Sequence, residues 1–75
     1  MRRPEVGEEI RYRSRRGGYL YPAKVVRVVE TVGYQGQPTG TVVVVLNMAG
    51  LLITVDLDDL YVDKQGRWVE GVRYA

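Results

Sequence analysis

The stretch TVVVVL, residues 41–46, constrains the fold of this chain more than any other feature. Valine favours strands, and alternate side chains of a strand point to opposite faces of a sheet. Four consecutive valines therefore place two side chains on each face. A small antiparallel sheet normally has only one dry face. The sequence thus predicts a strand here whose second face needs a cover.

The rest of the chain predicts an all-β protein. No stretch of about a dozen residues carries apolar side chains at helical spacing without an interrupting Gly, Pro or β-branched run. The 75 residues allow one domain, a small β-barrel over 1–75 with its core at about 6–62. Further strands are predicted at 9–16, 23–30, 51–56, 61–62 and, as a C-terminal hairpin strand, 67–74. Loops are predicted at 17–22 and 31–40, and a single helical turn at 56–60.

Two registers are open for the hairpin that follows the valines. Pairing Val45 with Ile53 turns Asn47 toward the core, and an unpartnered buried amide costs about 1–3 kcal/mol. Pairing Leu46 with Ile53 avoids that penalty, so we predict this register. One face then holds only apolar side chains: Val42, Val44, Leu46, Met48, Leu51, Ile53 and Val55.

In this register an apolar strip of Val43, Val45 and Leu52 points outward and needs a cover. One candidate is the final strand, through Trp68, Val72 and Tyr74; the other is the same strip on a second copy. Glu70 interrupts the apolar row of the final strand, which favours self-association. The predicted interface residues are Val43, Val45, Leu52, Trp68, Val72 and Tyr74.

Catalysis is not expected from this composition. The chain has no His and no Cys, and its single serine, Ser14, has no candidate base beside it. The carboxylates at 56, 58, 59 and 63 do not follow the spacing of a calcium loop and are expected to cap the helical turn. We expect no cofactor, no metal and no small-molecule substrate.

The distribution of arginine is the sequence feature that most strongly indicates a ligand. Residues 1–27 hold eight Arg or Lys against three Glu, and residues 28–75 hold three against six acids, giving +5 and −3. Alternating arginines in the first strand lie about 6.6 Å apart, near the phosphate repeat of an extended strand. Codon usage and an ordinary solvated face are the competing explanations. The predicted nucleic-acid-binding residues are Arg11, Arg13, Arg15, Arg16, Lys24 and Arg27.

No apolar run approaches the roughly 18 residues of a membrane span. The segment MRRPEVGEE is also too charged for the apolar part of a signal peptide. We therefore expect a cytoplasmic protein with no membrane partner.

Three segments, VGEEIRYR, YPAKVVRV and VDLDDLYV, resemble the opening strand, second strand and late helical turn of Src-homology-3-like barrels of the Tudor-like group. The resemblance spans residues 6–62 and implies an all-β, small, five- to six-stranded antiparallel Src-homology-3-like barrel. That superfamily binds methylated peptides, proline-rich peptides, RNA or DNA, or builds larger assemblies. For a methyl reader the resemblance implies aromatic contacts at Tyr19, Tyr21 and Tyr34.

The sequence therefore predicts a non-catalytic binding module that contacts the phosphate backbone of nucleic acid weakly through an Arg-rich strand. One alternative is a structural or assembly protein that acts through protein partners or homo-oligomers. Barrels of this size resemble many small proteins encoded by phages and mobile elements. A lesser alternative is a Tudor-like reader of a methylated peptide.

Overall fold

The computed structural model of the chain describes residues 3–13 and 18–71. These residues form six strands and one turn of 3-10 helix, Leu57–Asp59. The strands are β1 Glu9–Arg13, β2 Leu20–Val32, β3 Pro38–Met48, β4 Leu51–Asp56, β5 Leu60–Val62 and β6 Trp68–Glu70. The all-β prediction and the single helical turn are confirmed.

The strands form one sheet in the order β4-β3-β2-β1-β6-β5. The predicted purely antiparallel barrel differs from this arrangement in two ways. β6 pairs in parallel with β1, so the sheet is mixed, and β4 and β5 remain as separate edges, so the sheet is not closed. The cause is the β5–β6 hairpin: β6 returns antiparallel to β5 and comes to lie beside β1 in the same direction.

The sheet wraps around a core on its inner face. Val44 and Leu46 of β3 are fully buried there, together with Ile10 of β1. The remaining core residues come from every other element: Ala23, Val25, Val55, Leu57, Leu60 and Trp68. Each buried valine, leucine or isoleucine of this core contributes roughly 1.5–3 kcal/mol.

The β3–β4 hairpin has the predicted register, with Leu46 opposite Ile53. Met48 and Leu51 close a two-residue loop, and Ala49 and Gly50 have φ values of +53° and +90°. Positive φ at both positions is typical of the type I′ turn that suits the twist of a hairpin. Asn47 stays outside, where its Oδ1 accepts the Gly50 N–H at 2.9 Å.

The predicted loops at 17–22 and 31–40 are wrong in their extent. β2 begins at Leu20 because pairing with β1 continues to the Arg13–Leu20 pair. At its other end β2 and β3 continue as a two-stranded arm, residues 30–42, closed by a turn in which Gly33 donates to the Gln37 carbonyl at 2.6 Å. Threonine hydroxyls hold the arm together: Thr31 and Thr39 share a hydrogen bond, and Thr39 also donates to the Thr31 carbonyl at 3.2 Å.

The aspartates do not play their predicted capping role. Asp56 stands at the N-cap of the 3-10 turn but makes no side-chain capping hydrogen bond there. Asp63 instead organises the β5–β6 turn, where its Oδ1 accepts the N–H groups of Gln65 and Arg67, both at 2.9 Å.

Across the two described ranges, no helix is both long and apolar enough to cross a membrane.

Candidate functional site

Two of the predicted arginines, Arg11 and Arg13, project from the outer face of β1, the side of the sheet away from the core. Ile10 between Glu9 and Arg11 is fully buried, and strand alternation then turns Arg11 and Arg13 outward. Arg13 is held in place by its surroundings. Its Nη1 donates to the Gly18 carbonyl at 3.4 Å, and its side chain lies against Gly71.

β2 brings a third and a fourth cation to the same face, the fourth through a β-bulge. Ala23 and Val25 are buried, so Lys24 between them points outward. Regular alternation would send Arg27 inward with Val25, but the pairing shifts by one residue between Val25 and Arg27. Arg27 therefore lies opposite Val45, whose neighbours Val44 and Leu46 face the core, and so it points outward. We call Arg11, Arg13, Lys24 and Arg27 the basic face.

The geometry of the basic face follows from strand spacing. Arg11 and Arg13 are about 6.6 Å apart along β1, and neighbouring strands are separated by about 4.8 Å. Arg13 lies opposite Leu20, and Arg27 is seven positions further along β2, a span of roughly 23 Å. The basic face is therefore an elongated band across two adjacent strands.

The charges of this band are not matched by ion pairs within the described residues. The described residues form two ion pairs, Arg3–Glu30 at 2.9 Å and Arg67–Asp63 at 3.0 Å. Both lie off the basic face. Glu9 lies directly opposite Lys24 without an ion pair. The Arg11 Nε is buried and has no hydrogen-bond partner among the described residues.

Arg15 and Arg16, the other predicted cations, lie outside the described residues. So do Val72 and Tyr74 of the predicted interface.

The three predicted aromatic contacts are not brought together. Tyr19 and Tyr21 lie at the start of β2, whereas the fully exposed Tyr34 lies in the turn beyond its other end. A cation–π cage needs ring faces within about 6 Å of one cation, so these three tyrosines do not form one. Tyr21 does have an aromatic neighbour, Tyr12, which lies directly opposite it on β1. The pair was not predicted from the sequence, because the predicted second strand began at residue 23 and so did not include Tyr21.

The predicted outward strip is only partly exposed. Val43 and Val45 do point away from the core, but both are partly buried, flanked in their rows by Val29 and Arg27. Leu52 is 66% exposed at the sheet edge. Trp68 lies in the core at 4% exposure, so it does not cover the strip. On the opposite face of β4, Leu51 is also 64% exposed.

A small cavity of about 130 Å³ lies at the base of the arm. Its lining includes the Arg3–Glu30 ion pair and Thr31, but none of the predicted site residues.

The pKa of Asp63 is lowered below its ordinary value of 3.8, chiefly because its carboxylate accepts the backbone N–H of Arg67. In the part of the chain that the structure describes, no cluster of acidic side chains has the arrangement of a metal site.

Comparisons with protein-family models, with curated proteins and with solved structures find no match to this chain.

Proposed function

We propose that this protein is a non-catalytic binding module that contacts the phosphate backbone of nucleic acid through the basic face. The observation that supports the proposal is the bulge at Val26. It adds Arg27 to the side of the sheet that carries Arg11, Arg13 and Lys24, in a band free of ion pairs with other described residues.

The chemistry of the basic face favours a flexible polyanion. Three of its four cations are arginines, whose planar guanidinium groups make bidentate contacts to phosphate oxygens. The spacing of about 6.6 Å along β1 suits an extended single strand. The face presents no set of amide or carboxylate side chains arranged to read base edges, so binding is non-specific, with dissociation constants of roughly 10⁻⁴–10⁻⁶ M.

We also propose that this open, mixed sheet is related in its strand order to Src-homology-3-like folds. The three segments that carry the resemblance coincide with β1, with the first half of β2, and with the 3-10 turn between β4 and β5. This coincidence supports a shared order of strands and helical turn. The proposed function rests on the basic face alone.

Salt dependence of binding tests the proposed function. Each phosphate contact with a single strand releases counterions and contributes about −0.7 to the slope of log K against log [salt]. Four contacts give a slope near −2.8. Fluorescence anisotropy with a labelled oligonucleotide of mixed sequence, titrated at several salt concentrations, measures this slope.

A charge-matched pair of variants separates the basic face from net charge. Lys24→Gln with Arg27→Gln removes two cations from the face, and the slope should fall by about 1.4. Arg3→Gln with Arg67→Gln removes two cations that are already paired with Glu30 and Asp63, and the slope should stay unchanged. Equal losses in both variants, or no binding at low salt, would overturn the proposal.

A further inference from the structure

The two edges of the sheet differ in how they are protected. β5 is three residues long, and the acidic Asp59 and Asp63 stand immediately before and after it. Short length and flanking charge are devices that keep a sheet edge from pairing with another chain. β4 is six residues long, and its one charged residue, Asp56, is its last; the segment 46–55 before it contains no charged residue and no proline. The β4 edge is therefore less protected than the β5 edge.

The backbone of β4 is oriented for further pairing. In a hairpin with a two-residue loop, the closing pair is hydrogen-bonded, here Met48 with Leu51. Leu51, Ile53 and Val55 then exchange their backbone hydrogen bonds with β3. Leu52 and Thr54 direct their N–H and C=O groups to the open edge. These groups lie beside the two most exposed leucines of the described residues, Leu51 and Leu52.

We infer that β4 pairs antiparallel with β4 of a second copy, around a two-fold axis normal to the sheet and centred on Ile53. The argument for this occupant is self-complementarity. In this register Leu52 lies opposite the partner's Thr54, so the two residues with edge-directed groups exchange hydrogen bonds. Leu51 lies opposite the partner's Val55 on the inner face, and Asp56 lies opposite Gly50 of the partner subunit, so no like charges meet.

Charge and strand length favour a second β4 over other partners for this edge. A charged partner would gain nothing from the neutral 46–55 segment. The net charge of one chain is only +2, so two copies repel each other weakly. Pairing β4 with β5 of another copy is disfavoured because β5 offers three residues flanked by acids.

The pairing has a geometric consequence. An axis normal to the sheet keeps both outer faces on the same side, so the dimer presents two basic faces side by side. From β2 of one protomer to β2 of its partner there are five strand spacings, roughly 24 Å. Self-association is measured without nucleic acid, so its outcome is independent of the proposed function.

Sedimentation velocity across a concentration series is the test. The weight-average mass should rise from 8.5 kDa for one chain toward twice that value. Leu52→Lys with Thr54→Lys places lysines opposite lysines, and this variant should remain at the mass of one chain. Mixing it with Leu52→Glu and Thr54→Glu should restore a heterodimer, because each lysine then meets a glutamate. Restoration also shows that both variants are folded.

The matched control is Val45→Lys, which adds a charge to the same outer face but on the interior strand β3. Edge pairing predicts that this variant still dimerises. Its dissociation would overturn the inference in favour of packing between outer faces. A wild-type mass of one chain at every concentration, a mass beyond two chains, or failure of the mixed variants to associate would overturn it as well.

Discussion

At the scale of single residues, Gly71, which follows β6, packs closely against the side chain of Arg13 in the basic face. Its φ is +123°, and a Cβ built there would lie 2.7 Å from the Nε of Arg13. We predict that Gly71→Ala destabilises the fold by about 1–3 kcal/mol, because alanine is strained at this φ and also displaces the arginine. Urea denaturation measures the change.

A double-mutant cycle separates the two causes of that loss. Removing the guanidinium with Arg13→Ala leaves the backbone strain at position 71 but abolishes the contact. The cost of Gly71→Ala should then be smaller in the Arg13→Ala background than in the wild type. An equal cost in both backgrounds would mean that the contact with Arg13 is energetically unimportant.

Asn47 and Arg27 show which features of the fold could and could not be predicted from the sequence. The penalty for burying Asn47 selected the hairpin register, and the structure has that register. The outward position of Arg27 was not predictable from alternation, because the bulge at Val26 depends on how β2 matches β3 across the sheet. Pairing between strands decides such irregularities, and a single strand does not display them.

At the scale of elements, sequence signals for turns and strands differed in reliability. The tight hairpin that follows the valines was predicted correctly, since turn chemistry is local. The arm was predicted as a loop because TVGYQGQPTG is rich in Gly and polar residues. Its strand pairing is accompanied by hydrogen bonds between Thr31 and Thr39, which become visible only when the two strands face each other.

The β5–β6 turn makes a prediction about pH. The lowered pKa of Asp63 means that its carboxylate stabilises the folded state fully above the ordinary value of 3.8. This contribution is lost as the pH falls through the lower pKa of the folded state. Asp63→Asn should therefore be less stable than the wild type at neutral pH, and the difference should shrink in strong acid.

Thermal denaturation of both proteins over an acidic pH series checks this prediction. Asp58→Asn is the matched control, because Asp58 is an exposed carboxylate in the 3-10 turn. Its stability should follow the wild type at each pH. A constant difference between Asp63→Asn and the wild type down to the lowest pH would contradict the role assigned to the carboxylate.

At the scale of the whole molecule, β6 joins the edge strand β5 to the rest of the sheet, since it pairs with both β1 and β5. Its side-chain anchor is Trp68, which lies opposite Ile10 and is 4% exposed. The sequence predicted Trp68 as part of a cover over the outward strip, and its β1 partner was not predicted, because parallel pairing of distant segments leaves no local pattern.

Trp68→Ala should remove most of the stability of the fold. Truncating a buried tryptophan costs about 3–5 kcal/mol, and a domain of this length has a total of roughly 4–11 kcal/mol. We expect a large drop in the midpoint of urea unfolding and an emission maximum of the wild-type indole that is blue-shifted until unfolding. Tyr34→Ala, at the fully exposed tip of the arm, is the aromatic control and should leave the midpoint unchanged. If Trp68→Ala unfolded at the wild-type midpoint, β6 would not be the element that joins β5 to the rest of the sheet, and the arrangement of the C-terminal strands would need revision.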